Sequence, residues 1–223
     1  MLAVAVFVIG TAPDARLAHA QQPDERQRLG MLEAAEKGDV SAINRLRIVG
    51  GKVDVRDETN RTPLLITVEH NRLEAFKVLL AEGADINAQA HNQDTPWLLA
   101  GARGRTEMLR LMLPNGPNLS IRNRFGGNAL IPACERGHVE TVRLLLTETR
   151  IPVDHVNSLG WTCLLEIVIL GDGGPRHVEV TKFVLAAGAN PNLADNKGVT
   201  PLGHARARGQ TEVARLIQAA GGR

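Results

Sequence analysis

Tyrosine is absent from this 223-residue chain, and aromatic residues of all kinds make up 3% of it. That is poor material for a β-sandwich, whose strands favour aromatic and β-branched side chains, and poor for stacking nucleobases. Charge of one sign is lacking too: 26 Lys and Arg stand against 24 Asp and Glu, a net +2. So small an excess leaves no electrostatic footprint for nucleic acid or a lipid surface. The two cysteines, Cys134 and Cys163, are too few for a disulfide framework in a domain this size. They fall at different places of the periodic pattern below, and each is expected to be a small, buried, apolar residue. Apolar runs as long as the roughly 20 residues of a membrane span are missing. So are a nucleophile elbow, a phosphate loop, His-Glu-x-x-His and Cys-x-x-Cys. What is present is aliphatic bulk: 43% of residues are hydrophobic, enough for a buried core.

The N-terminus differs from the rest. Leu2 to Ile9 is wholly apolar, and Ala18-His19-Ala20 precedes the polar Gln21-Gln22-Pro23. A short apolar stretch followed by a small-x-small site is the pattern of an export signal. Residues 1–20 are therefore expected to be a signal peptide cut after Ala20, residues 21–26 a linker, and the protein periplasmic or secreted. No Lys or Arg precedes the apolar run, which a start further upstream or an atypical signal would explain.

Beyond it the chain repeats. Arg61-Thr62-Pro63-Leu64, Asp94-Thr95-Pro96-Trp97, Gly127-Asn128-Ala129-Leu130, Trp161-Thr162-Cys163-Leu164 and Val199-Thr200-Pro201-Leu202 occupy equivalent places, stepping by 33, 33, 34 and 38 residues from Thr62. Gly38, Asn71, Gly104, Gly137, Gly171 and Gly209 keep the same beat, as do Gly50, Gly83, Gly116, Thr149, Gly188 and Gly221. Thr before Pro suits a helix start, where Thr caps free N–H groups and Pro loses no hydrogen bond. Gly or Asn then suits the left-handed residue that ends a helix. Apolar residues at helical spacing follow, as in Val139, Val142, Leu145 and Leu146 or Val213, Leu216 and Ile217, and form one buried stripe of a second helix. Neither helix buries its apolar face alone, so stacking neighbours makes the core.

Thr200-Pro201-Leu202-Gly203-His204-Ala205, Gly137-His138-Val139-Glu140 and Leu79 to Ala88 resemble the ankyrin repeat family, whose period is 33 and whose signature is T-P-L-H-x-A. The resemblance covers residues 27 to 221. It implies an all-α solenoid of about six helix-turn-helix units joined by short hairpin-like loops, at about 27–56, 57–89, 90–122, 123–156, 157–194 and 195–223. The first unit lacks Thr-Pro and starts as helix, as a capping unit would, with Glu33, Glu36 and Lys37 on its polar outer face. The fifth carries the insertion Asp172-Gly173-Gly174-Pro175-Arg176.

Chemistry-bearing residues do not converge. No two of the seven histidines make an i, i+4 metal-binding pair, and neither a metal nor a cofactor is implied. Asp172, Glu166 and Glu179 form an acidic group in the fifth unit, but Asp172 lies in a turn sequence and the glutamates on separate helices. The expectation is a monomeric, non-catalytic module that binds another protein, with no nucleic acid and no membrane insertion after signal cleavage; an inhibitor or immunity-type protein for one enzyme or toxin is the alternative. In ankyrin folds the hairpin tips and the inner faces of the first helices form a concave surface. By register that surface holds Arg61, Glu69, His70, Asn92, Asp94, Arg103, Arg122, Arg124, Phe125, Arg136, Leu159 and Trp161. Phe125, Leu159 and Trp161 on tips, with arginines beside them, have the composition of an interface. Trp161 has a second reading as local packing, whereas Trp97 replaces the Leu of Thr-Pro-Leu and belongs to the core.

Overall fold

The structure, a computed structural model, describes residues 15–223, with side chains from Asp24 onward. The apolar run Leu2 to Ile9 lies outside the described residues, as do residues 1–14 of the expected signal peptide; residues 15–20 and the expected linker, 21–26, are part of the helix Ala15–Lys37. Twelve α-helices in six successive pairs build the described chain: α1 (Ala15–Lys37) with α2 (Val40–Ile48), α3 (Pro63–Glu69) with α4 (Leu73–Ala81), α5 (Pro96–Ala102) with α6 (Thr106–Met112), α7 (Leu130–Glu135) with α8 (Val139–Glu148), α9 (Cys163–Ile169) with α10 (Pro175–Ala186), and α11 (Pro201–Ala207) with α12 (Thr211–Ala219). First helices stack in one layer, α1 on α3 and so on to α11; second helices stack in the other, α2 on α4 and so on to α12.

Local chemistry sets these boundaries. Thr62, Thr95, Thr162 and Thr200 each cap a first helix, accepting from the backbone N–H three residues on at 3.1–3.2 Å. Asn128 does the same in the fourth unit, accepting from Leu130 and Ile131. A first helix is flanked by two neighbouring units and by its own partner, so it is buried nearly all round, as Pro63 to Val68 and Cys163 to Val168 are. Second helices are buried on one stripe only: Val142 and Leu145 on α8 are fully enclosed, whereas Glu140 and Arg143 face solvent. Trp97 is buried. Glu33, Glu36 and Lys37 are exposed on the first unit as expected, but Leu29, Ile48 and Val49 are exposed there too.

Two expectations need correction. Cys134 and Cys163 are not independent apolar residues: they are joined in a disulfide, Cα atoms 5.6 Å apart, that ties α7 to α9. The reason lies in the stacking register. Cys134, the fifth residue of α7, lies against Cys163, which opens α9. At the equivalent place one unit earlier is Gly101, where a Cβ would come within 2.6 Å of the Ala129 carbonyl oxygen. Two cysteines at such a contact are within bonding reach. In the fifth unit the left-handed residue is Gly173, not Gly171, because the insertion displaces it. Pro175 and Arg176 then lengthen α10, which starts with Pro at its first position.

Candidate protein-binding surface

Hairpin-like tips project between units. In each, a backbone N–H donates to the carbonyl four residues on: Asp57 to Arg61, Ala90 to Asp94, Asn123 to Gly127, Asn157 to Trp161 and Asp195 to Val199. Carboxylate or amide oxygens brace the turn from inside. Asp57 accepts from the N–H groups of Thr59 and Arg61, Asn123 from Phe125 and Gly127, and Asn157 from Leu159 and Trp161. Neighbouring tips are also bonded to one another, His91 N–H to the Thr59 carbonyl and Ser158 N–H to that of Phe125. The tips are thus a row of fixed platforms rather than loose loops.

Between the tips of the second to fourth units and the C-terminal ends of α3, α5 and α7 lies a groove of about 1060 Å³. It brings together eight of the residues expected from the sequence: Arg61, Glu69, Asn92, Asp94, Arg103, Arg124, Phe125 and Arg136. Four others lie elsewhere. His70 caps the end of α3, 4.0 Å from Glu36. Arg122 turns back onto the Leu119 and Ile121 carbonyls of its own loop. Leu159 is exposed on the next tip, and Trp161 is half-buried there. The groove also takes in His91, Arg105, Glu135 and His138, which the sequence reading did not single out, over a floor that includes Leu65, Leu99 and Pro132. Arg105 and His138 are 33 residues apart, each opening a second helix, so the period itself was the available signal.

The electrostatics of the groove are uneven. At one end Arg61 is committed, pairing with Asp57 and Glu69 at 2.7 Å each. Burial alone would raise the Asp57 carboxyl, but donors from Arg61 and Thr59 overcome it and hold it below its ordinary value. Asp94 is pushed up by burial, against the opposing pull of Arg124, Asn92 and Arg103. Burial lowers His138, and Arg136, Arg176 and Arg105 add to this against the Ala102 carbonyl. Phe125 is 48% exposed, with the Arg124 guanidinium 4.5 Å above its ring, a cation–π contact. Arg103, Arg105, Arg124 and Arg136 have no carboxylate within 4.0 Å among the described residues.

The acidic residues of the fifth unit do not converge on one site. Asp172, Glu166 and Glu179 are separated: Asp172 meets the His177 ring at 2.6 Å, Glu179 pairs with Lys182, and Glu166 accepts from Asn157 inside the stack. No cluster of three or more metal-ligating side chains occurs among the described residues.

Two-helix units stacked in register, with braced tips over a concave groove, define a helical solenoid built for binding. The chain belongs to the ankyrin repeat family: the model of ankyrin repeats in three copies matches residues 31–123 and 97–195. An ankyrin repeat domain from Acinetobacter baumannii AYE is 46% identical, covering 86% of this chain and 98% of that one with a TM-score of 0.82. The ankyrin repeat domain of Bcl-3, a member of the IkappaB protein family, is 26% identical over 87% of this chain and 86% of its own, with a TM-score of 0.75. The ankyrin repeat protein YahD of Escherichia coli K12 is 46% identical over 76 residues. That match spans 34% of this chain and 38% of YahD. Ankyrin repeats generally mediate protein–protein interaction, and proteins built from them are typically non-enzymatic binding modules.

Proposed function

We propose that this protein is a non-catalytic binding module of the bacterial cell envelope, exported and then acting as a monomer that grips one protein partner in its concave groove. The observation that carries this reading is Phe125 standing half-exposed beneath Arg124, at the rim of a groove in which Arg103, Arg105 and Arg136, unlike Arg61, have no carboxylate within 4.0 Å. An aromatic anchor next to arginine is what dominates interface energy. The groove is held rigid by tip-to-tip hydrogen bonds, which lowers the ordering cost of association. The buried disulfide supports an oxidising compartment, in keeping with the apolar run and Ala18-His19-Ala20.

The test is capture of the natural partner from an envelope extract, followed by titration. Phe125→Ala and Arg136→Ala each weaken binding by at least about 1 kcal/mol with unchanged circular dichroism. Lys77→Ala on a second helix does little. If both groove variants bind like the parent, the site lies elsewhere. N-terminal sequencing of the cell-expressed protein gives Gln21 first; an intact Met1 on cytosolic material overturns the location.

A further inference from the structure

A residue at the start of several second helices has a repeated duty. At the helix cap, or in α10 two residues inside the helix, it reaches back to a carbonyl at the end of the preceding unit's first helix. Arg72 donates from Nε to the Glu36 carbonyl at 2.8 Å. His177 places Nε2 2.8 Å from the Glu135 carbonyl, and Gln210 donates to the Val168 and Gly171 carbonyls. In the fourth unit the equivalent residue is His138, and the Ala102 carbonyl there accepts from Arg136 Nη1. The fifth residue of the series is Arg105, whose partner by period is the carbonyl of Glu69. It makes no such bond: its Nε is buried and has no acceptor at all. A sequestered guanidinium N–H without a partner is costly, and this one belongs to a residue that lines the groove beside Arg103.

Resting on the concave-groove reading above, we propose that the groove receives an extended acidic segment of the partner protein, whose carboxylates pair with Arg103, Arg105, Arg124 and Arg136. The argument is charge complementarity with a stated geometry. Arg103 and Arg136 end the adjacent helices α5 and α7 at equivalent positions. Stacked helices are about 10 Å apart, and an extended chain advances about 3.3 Å per residue. Carboxylates about three residues apart on an extended peptide therefore match the two arginines. Asp94 and Glu135 line the same groove, so it is not uniformly positive. Discrete carboxylates separated by neutral residues can avoid those two acids, whereas the unbroken charge of a nucleic acid cannot. Phe125 offers an apolar surface for a side chain between the carboxylates.

A fluorescein-labelled peptide of four Glu-Ser-Leu repeats is titrated against the full chain by fluorescence anisotropy. Gln-Ser-Leu and Lys-Ser-Leu counterparts and a twelve-nucleotide oligothymidylate serve as comparisons. The acidic peptide binds one-to-one, the Gln and Lys peptides do not, and affinity falls about tenfold when salt is raised from low to near-molar ionic strength. The Arg103→Gln/Arg105→Gln variant weakens it by at least about tenfold. In Arg-selective NMR of the parent, the Arg105 Nε–H resonance shifts on addition of the acidic peptide. Arg103 is exposed, so Arg103→Gln alone, with a smaller loss, keeps the test valid should the double variant melt early. Equal binding of the Gln peptide, unchanged binding by these variants, or oligothymidylate binding as tightly with the same arginine dependence overturns the proposal. The wider reading is judged separately: if the acidic peptide fails but Phe125→Ala still loses the captured partner, the groove binds a protein of other chemistry. If Phe125→Ala also has no effect, both readings fall.

Discussion

Among the described residues, Glu166 is the one carboxylate sealed inside the stack. Its side chain is 5% exposed on α9 and has a single hydrogen bond, from Asn157 Nδ2 at 2.9 Å. Burial pushes its pKa up to about 7, Glu135 adds to the rise, and Asn157 and Arg136 oppose it. The folded protein therefore keeps this proton up to about pH 7, while the unfolded chain releases it near the ordinary value of 4.5. Between those limits the folded state binds more protons, so stability falls as pH rises through the window, and above it the full penalty applies. That penalty is on the order of 2–4 kcal/mol. Glu166→Gln retains an acceptor for Asn157 and has no proton to lose. Its melting temperature is expected to match the parent near pH 4 and to exceed it at pH 8; parallel profiles across that range would show that Glu166 is ionised without cost.

At the scale of single elements, the fold was legible where chemistry is local. Thr62-Pro63, Thr95-Pro96 and Thr200-Pro201 mark helix starts because capping and the proline ring act within one turn, and the structure shows each cap made. The disulfide was not legible. Periodicity tells which residues are equivalent, whereas Cys134 and Cys163 touch because non-equivalent positions of adjacent first helices meet, and that offset is a property of packing. Arg105 escaped for a related reason: its significance is a bond not made, visible only against the bonds of Arg72, His177 and Gln210. The surface residues that the sequence placed in the groove, such as Arg103 and Phe125, came from the family's geometry; His70, Arg122, Leu159 and Trp161 lie outside the groove, His70 at the end of α3, Arg122 on its own loop, and Leu159 and Trp161 on the next tip. The disulfide closes a loop across 29 residues. Its removal in Cys134→Ser/Cys163→Ser should cost about 3–4 kcal/mol through the freed unfolded chain, measured by denaturant titration of both forms under non-reducing conditions. Equal midpoints would mean that the thiols are free in the native protein.

At the scale of the whole molecule, stability is a sum over units and the interfaces between them. Leu145 is fully buried on α8 and belongs to the continuous core. Leu145→Ala is expected to cost about 2–5 kcal/mol. Because coupling is between nearest neighbours, the loss should appear as early exchange of amide hydrogens in the fourth unit and its neighbours, with the outer units protected longer. A loss within about 0.5 kcal/mol, the range of surface changes, would contradict the burial of α8.

The covalent tie between α7 and α9 also divides the chain mechanically. Pulled from its two ends, a stack of this kind peels unit by unit, each releasing its length of extended backbone. The segment between Cys134 and Cys163 cannot be drawn out while the bond holds. With 29 residues enclosed and about 3.5 Å of reach per residue, the oxidised chain stops roughly 100 Å short of the reduced one. The fourth hairpin tip and the whole of α8 lie inside that shielded loop, so force applied at either terminus reaches them only around the sulfur link.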